Sequence, residues 1–420
     1  MSTRLARLAG GTFSSLSIRN YRLFFGGQVV SVTGSWMQRV AQSWLVLHLT
    51  GSGVALGIVT ALQFVPMLFF GLWGGVVADR ADKRHVLYAT QAAMGLLAAL
   101  LGALTLSGSV RLWMVYALAL ILGLATAVDN PTRQAFVMEM VGRAHVMNAV
   151  SLNSAVFTGA RVIGPALAGI LVGLVGTGWC FILNAISFGA VIAALALMDP
   201  AALNRAPLVA RSKGQVVEGL RYAWSEIDLR VTLLTLAAVG TLGLNFTVIL
   251  PLLASVTFHG DATTYGLLFS VMGAGSVVGA LATARLRTPS WPVLAGALGA
   301  FGLLMLAAAF APSLWLEVAV LAPLGLATIV YQATTNSRLQ LHSRRELRGR
   351  VMALYAVVFL GSTPIGAPIV GWVSQRYGPR AGLLLGAVAV LATWLALTAW
   401  LVRRRQTIRR AATATVRPQT

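Results

Sequence analysis

Residues 74–87 read GGVVADRADKRHVL. Two glycines lead into five charged residues within six positions, Asp79 to Arg84. One apolar run, 54–78, ends at this cluster and another, 84–107, begins there. Each is long enough to cross a hydrocarbon layer, which takes about 20 apolar residues in a helix. A short charged segment between two such runs reads as a hairpin turn at one membrane face. Carried outward, the same reading predicts twelve spans: 21–48, 54–78, 84–107, 111–131, 146–175, 178–198, 230–257, 262–284, 290–310, 313–337, 349–374 and 379–402. Composition agrees. The 420 residues are 57% hydrophobic and only 10% charged, against about 25% charged in soluble domains. The predicted class is an all-α membrane protein.

The loops alternate in charge. Arg4, Arg7, Arg19 and Arg22 precede or open the first span; Arg80, Lys83 and Arg84 follow the second, and Arg133 and Arg143 the fourth. The segment 199–229 carries Arg205, Arg211, Lys213 and Arg221. Arg285 and Arg287, then Arg338, Arg344, Arg345 and Arg348, then the tail from Arg403 to Arg417 complete the series. The intervening loops 49–53, 108–110, 176–177, 258–261 and 311–312 have no Lys or Arg, and Arg376 and Arg380 break the pattern. Lys/Arg excess marks cytoplasmic loops, so both termini are expected in the cytoplasm. This accounts for the net charge of +21 without a nucleic-acid partner. One cysteine, Cys180, allows no intramolecular disulfide, and the five histidines lie at span ends or in loops. No metal, cofactor or nucleotide-binding loop is expected. Nor is a cleaved leader, because the first apolar run is itself of full span length.

Six spans flank 199–229 on each side. GLATAV at 123–128 recurs as GLATIV at 325–330, and GPALAG at 164–169 aligns with GAPIVG at 366–371, both 202 residues apart. Two pseudo-symmetric six-helix bundles are expected, 1–198 and 230–420, with the solute site between them near mid-membrane. In the central segment, Val217, Leu220, Ala223, Trp224 and Ile227 recur at helical spacing. They predict a short amphipathic helix, either lying in the membrane interface or packing on a soluble face.

Gly75, Asp79, Arg80, Lys83 and Arg84 resemble the signature loop of the major facilitator superfamily, with Asp82 where that pattern has a second glycine. GARVIGPALAG at 159–169, with Gly164, Pro165 and Gly169, resembles the superfamily's antiporter motif. RNYRLFFGGQVVSVTGSWMQRVAQSWLVLHLTGS at 19–52, DNPTRQAF at 129–136 and EGLRYAW at 218–224 resemble the bacterial exporter group that includes enterobactin exporters and macrolide efflux proteins. The resemblance implies a monomeric twelve-helix facilitator of the bacterial inner membrane that exports small molecules in exchange for protons. It also implies a gating latch in which Arg80 and Arg84 meet carboxylates such as Asp129 while the protein is open outward. A plain positive-inside loop is the other reading of the same residues. The second half has Thr283 where the acid of the loop would stand, and Ala119 stands where drug antiporters of the superfamily carry a mid-helix arginine.

At about 100° per residue, Gln28, Ser31, Ser35, Gln38, Arg39 and Gln42 share one face of the first span. Ser151, Ser154, Thr158, Arg161 and Pro165 share a face of the fifth. Such stripes need protein or water, since lipid cannot solvate them. Arg39 and Arg161 are the candidate cavity charges, with Gln63, Asn245, Gln332 and Asn336 as further polar lining. Arg39 could instead snorkel to the outer rim, and Arg161 could bond helix-end carbonyls. Only Asp129 and Glu317 among the eleven acids fall near the membrane, which makes them the candidate proton sites. An arginine-rich, acid-poor cavity suits an anionic or oxygen-rich neutral solute. An uptake symporter or lipid flippase is the alternative transport reading. A membrane enzyme has no constellation here beyond HSRRE at 342–346.

Overall fold

The structure, a computed structural model, describes residues 13–204, 215–285, 288–344 and 347–415. Arg4, Arg7, Arg205, Arg211, Lys213, Arg287, Arg345 and Arg417, and the side chains of Asp79 and Val217, lie outside the described residues. Among the described residues all regular structure is helical. In chain order the helices are α1 Arg19–Thr50, α2 Gly53–Arg80, α3 Lys83–Leu106, α4 Leu112–Val175, α5 Thr177–Ala196, α6 Gln215–Ser225 and α7 Ile227–Leu242. There follow α8 Phe246–Leu252, α9 Ala262–Ala284, α10 Trp291–Ala309, α11 Leu314–His342, α12 Arg348–Tyr377 and α13 Pro379–Thr415. Among the described residues ten segments, with Ile227–Thr257 counted as one, are long and apolar enough to cross a membrane. The more polar α1 is not among them.

Helix α4 runs for 64 residues, about 96 Å if straight, three times a hydrocarbon core of about 30 Å. It is not straight. Gly142 takes φ 67° and ψ 177°, left-handed backbone that glycine adopts without a Cβ penalty. The chain doubles back there. Phe136 packs edge-on against Phe24, and the Ala149 carbonyl accepts from the Tyr21 hydroxyl, so both sides of the break lie beside the start of α1. The loop expected over 132–145 is thus helix on either side of one glycine. One local pair and two contacts from elsewhere in the chain hold it: Arg133 pairs with Asp129 at 3.2 Å, Lys83 with Glu139 at 2.8 Å, and the Asn204 amide donates to the Glu139 carbonyl. The seventh expected span, 230–257, is interrupted. Helix α7 ends at Leu242, α8 restarts after Asn245, and a π-turn fills Leu253–Thr257. Pro251 inside α8 has no N–H to donate to the Thr247 carbonyl, so the ladder is already weakened where the π-turn begins. Helix α13 continues past residue 402, so Arg403, Arg404 and Arg405 sit on helix.

Helix ends gather at two faces. Asn20 with Asp199, Arg84 with Leu195, Asp228 with Arg404 and Arg338 with Pro289 join ends at the face where α1 begins, here the termini face. Ser52 with Gln375 and Arg380 with Ala311 join ends at the opposite, far face. Glycines 202 residues apart meet corresponding helices. Gly164 lies against Trp36 of α1 and Gly366 against Thr241 of α7; Gly123 lies against Gln63 of α2 and Gly325 against Met272 of α9. Helix α6 packs Tyr222 and Ala223 onto Leu229, Leu339 and Val351, leaving Leu220 and Trp224 exposed.

Candidate functional site: an arginine and aromatic cluster between the halves

The two groups of helices meet along α2–α12 and along the second limb of α4 (143–175) with α9. Gly53 lies against Gly371 and Gly57 against Ala367. The Gln375 carboxamide oxygen accepts from the Ser52 hydroxyl at 2.7 Å and the Val54 amide at 3.1 Å. On the other seam Gly169 lies against Gly266, and Thr263 and Ser270 donate to the carbonyls of Gly169 and Val162. These approaches lie toward the far face. Nearer the termini face α2 exposes Phe69, Phe70 and Trp73, and α4 exposes Met147, Val150, Ser151 and Ser154. The bundle is closed at the far face and parts toward the termini.

Where the opening ends, three helices bring one cluster together. Trp36 and Arg39 are three residues apart on α1, so they share a face. The Arg39 guanidinium carbon stands 4.3 Å from the Trp36 ring centroid. Arg161, on the second limb of α4, stands 5.8 Å from the same ring. Phe157, one turn before Arg161, meets Trp36 edge-on at 5.7 Å, and Phe269 of α9 meets it at 5.9 Å. Tyr265 packs on Phe269 and stacks with Trp44. Glycine permits this convergence. Gly164 admits the α1 backbone, and a Cβ at Gly273 would stand 2.8 Å from the Arg161 carbonyl.

Neither arginine has an ion-pair partner among the described residues, and Arg161 Nε is buried without a hydrogen bond. Each arginine in mid-membrane costs roughly 2.5–3.5 kcal/mol on insertion scales. A cation–π contact returns about 0.5–2 kcal/mol. The aromatic ring leaves part of the cost unmet.

Other expected lining residues turn elsewhere. Gln38 accepts from Asn184 of α5 at 2.6 Å, and Gln42 from Gln63 of α2 at 3.2 Å, so part of the α1 stripe joins helices within the first half. Gln28 accepts from Arg133. Thr158 is half-buried and bonds back to the Ser154 carbonyl. Asn245 is buried at the break before α8 and donates to Thr241. Gln332 is half-buried on α11; Asn336, one turn on, accepts from Gln340. In the antiporter-like motif on the second limb of α4, Gly164 and Gly169 serve two different neighbours, α1 and α9, on either side of Pro165.

The charged loop binds its own half. Lys83 pairs with Glu139, and Arg84 donates through Nε and Nη2 to the Leu195 carbonyl at 2.9 and 2.8 Å. Arg80 is exposed. The expected pairing of Arg80 or Arg84 with Asp129 is not made. Asp129 is buried, accepts from Thr90 and Gln91, and pairs with Arg133. The close helix approach near Gly75 is made by Gly74, against Ala127. Glu317, in the first turn of α11, is 0% exposed, and neither carboxylate oxygen has a hydrogen-bond partner. Sequence reasoning missed Trp36, though its three-residue spacing from Arg39 was the available signal. No local signal could have placed Phe269 on it. No group of three or more His, Cys, Asp or Glu among the described residues could hold a metal ion.

A family of proteins described as transmembrane secretion effectors matches this chain over residues 10–419. The chain belongs to this family. Its relatives include the staphyloferrin A transporter of Staphylococcus aureus, 27% identical over 62% of this chain and 66% of that protein. The multidrug efflux pump Tap of Mycobacterium tuberculosis is 26% identical over 87% of this chain and 90% of its own. The nucleoside transporter NupG superposes with a TM-score of 0.72 at 13% identity, covering 91% of this chain and 98% of NupG. The fold is that of the major facilitator transporters. This secretion effector is a multi-pass transporter of small molecules, and the reading as a membrane enzyme is set aside.

Proposed function

We propose that this secretion effector exports an anionic or oxygen-rich neutral solute, of drug-like or siderophore-like size, across the bacterial inner membrane by alternating access. The observation that carries this is the pair Arg39 and Arg161 on one buried indole, with no acid paired to either. A lipophilic cation would face two like charges there; an anion would relieve both. Arg161 is the main solute-facing charge, and Arg39 joins it through Trp36 on the wall of the opening. In this reading the chain crosses twelve times, with the two limbs of α4 counted separately and α1 included, so both termini share one side, and the basic loops on that side favour the cytoplasm. In that orientation the structure faces inward, ready to load an export substrate. The names of the relatives, a siderophore transporter and a drug pump, are consistent with such solutes.

Proton exchange supplies the drive in this reading, and Glu317 is the proton-carrying acid. It is buried with both oxygens unpartnered, whereas Asp129 is held by Arg133. The test is transport in proteoliposomes of known orientation, loaded with a panel of anionic and cationic fluorescent solutes. Anions move from the termini face to the far face, and Arg161→Gln slows them about tenfold, the loss of one charge-assisted hydrogen bond. Efficient cation export that Arg161→Gln leaves untouched, or net uptake in the opposite direction, refutes the proposal.

A further inference from the structure

A second cluster lies at the termini face of the second half, away from Trp36. Arg338, near the end of α11, is 3% exposed. Its guanidinium carbon lies 3.6 Å from the Trp291 ring centroid. One nitrogen, Nη1, donates to the Pro289 carbonyl at 2.8 Å; Nε and Nη2 have no partner. Those two atoms form one edge of the guanidinium, with parallel donors matched to two oxygens of a single anion.

Arg338 lines a cleft of about 630 Å³ together with Ser290, Trp291, Asp228, Arg404 and Arg405. Asp228 is occupied. It takes both Arg404 nitrogens, at 2.6 and 3.2 Å, and the Trp291 indole N–H at 3.2 Å. Three arginines against one aspartate leave the cleft with excess positive charge. Helix α10 begins here. Its N-cap, Ser290, makes no side-chain capping bond, so the positive end of a 19-residue helix opens on the same space. Trp291 and Trp400 pack together at 5.0 Å, at the level where tryptophan marks a membrane interface.

We propose that this cleft binds a phosphate-bearing anion, with the free edge of Arg338 gripping two phosphate oxygens and Arg405 adding charge at the mouth. The same chemistry comes from a phospholipid headgroup of the adjoining leaflet or from free phosphate. Basic pockets between transmembrane helices hold lipid headgroups in this way.

The test uses the purified full chain, delipidated in detergent, with its melting temperature followed during titration. The probes are dioleoyl phosphatidylglycerol, dioleoylglycerol without a phosphate, and inorganic phosphate. Phosphatidylglycerol raises the melting temperature saturably and dioleoylglycerol does not. Arg338→Gln raises the half-saturating concentration about fivefold or more, the effect of one basic contact. Arg405→Gln, at an exposed helix position, gives a parallel shift without disturbing buried packing. If inorganic phosphate alone reproduces the effect and both variants weaken it, the site stands and its ligand is free phosphate. Equal stabilisation of wild type and both variants, or no response to either phosphate, overturns the site.

Discussion

Arg39 and Arg161 illustrate why an isolated charge in an apolar run is ambiguous. Their residue type implies cost; their partner decides purpose. Both stand against Trp36, the one ring that Arg39 reaches by helical spacing and Arg161 only through the fold. Glu317 poses the complementary question. An acid that is fully buried without a hydrogen bond is costly in either protonation state. Intramembrane acids are retained for ion or proton pathways. Glu317→Gln keeps the shape and removes the titratable proton. Solute should then still equilibrate across proteoliposomes, but an imposed pH gradient should no longer drive accumulation, read as the ratio of solute inside and outside. Gradient-driven accumulation at the wild-type level would remove Glu317 from the coupling.

At the scale of the element, helix ends carry consequences that composition hides. Asp261 caps α9 by accepting from the Thr264 amide at 2.9 Å, beside the seam where Gly266 meets Gly169. The Thr264 amide bond holds the Asp261 carboxyl below its ordinary value. A carboxyl depressed in the folded state stabilises above its unfolded pKa, near 3.9, and loses that contribution as pH falls through the folded value. Asp261→Ala should lower stability by about 1 kcal/mol at neutral pH. In detergent melting curves the gap between wild type and variant should be full above about pH 4 and close as the pH falls below it. A gap that persists unchanged at lower pH would show that the carboxylate is not the cap. Gly142 makes the related point. The spacing of apolar residues predicted a loop from 132 to 145, yet Asp129–Arg133 and Lys83–Glu139 hold the chain helical up to a single left-handed glycine.

For the whole molecule, the decisive feature is which face is shut. Small residues let α2 and α12 touch at Gly53, Gly57, Ala367 and Gly371, and the far face closes there. Transport must part this seam. With cysteines at Ser52 and Gln375, whose side chains meet at 2.7 Å, a short thiol crosslinker should trap the closed far face. Solute flux should stop and return on cleavage of a reducible linker. Undiminished flux in a crosslinked protein would mean that the seam does not open during the cycle. The same geometry explains why the charged loop at 79–84 binds its own half. With the termini face parted, Lys83 and Arg84 find Glu139 and Leu195 within reach.

The linear chain by itself determined the all-helical membrane class, the run of apolar segments, the basic alternation of loops and the 202-residue repeat. These follow from local hydropathy and charge, which need no knowledge of neighbours. It also marked Arg39, Arg161 and Glu317, because ionisable groups stand out against apolar sequence. Tertiary structure alone decided which polar residues face the opening. Gln38 and Gln42 lie on the expected stripe, but Asn184 and Gln63, distant along the chain, claim them. It alone seated Phe269 on Trp36 and left the Arg338 edge free beside Trp291. Helical periodicity assigns a residue to a face of its own helix. What stands opposite that face depends on how glycine contacts let whole helices approach, and that is settled between segments.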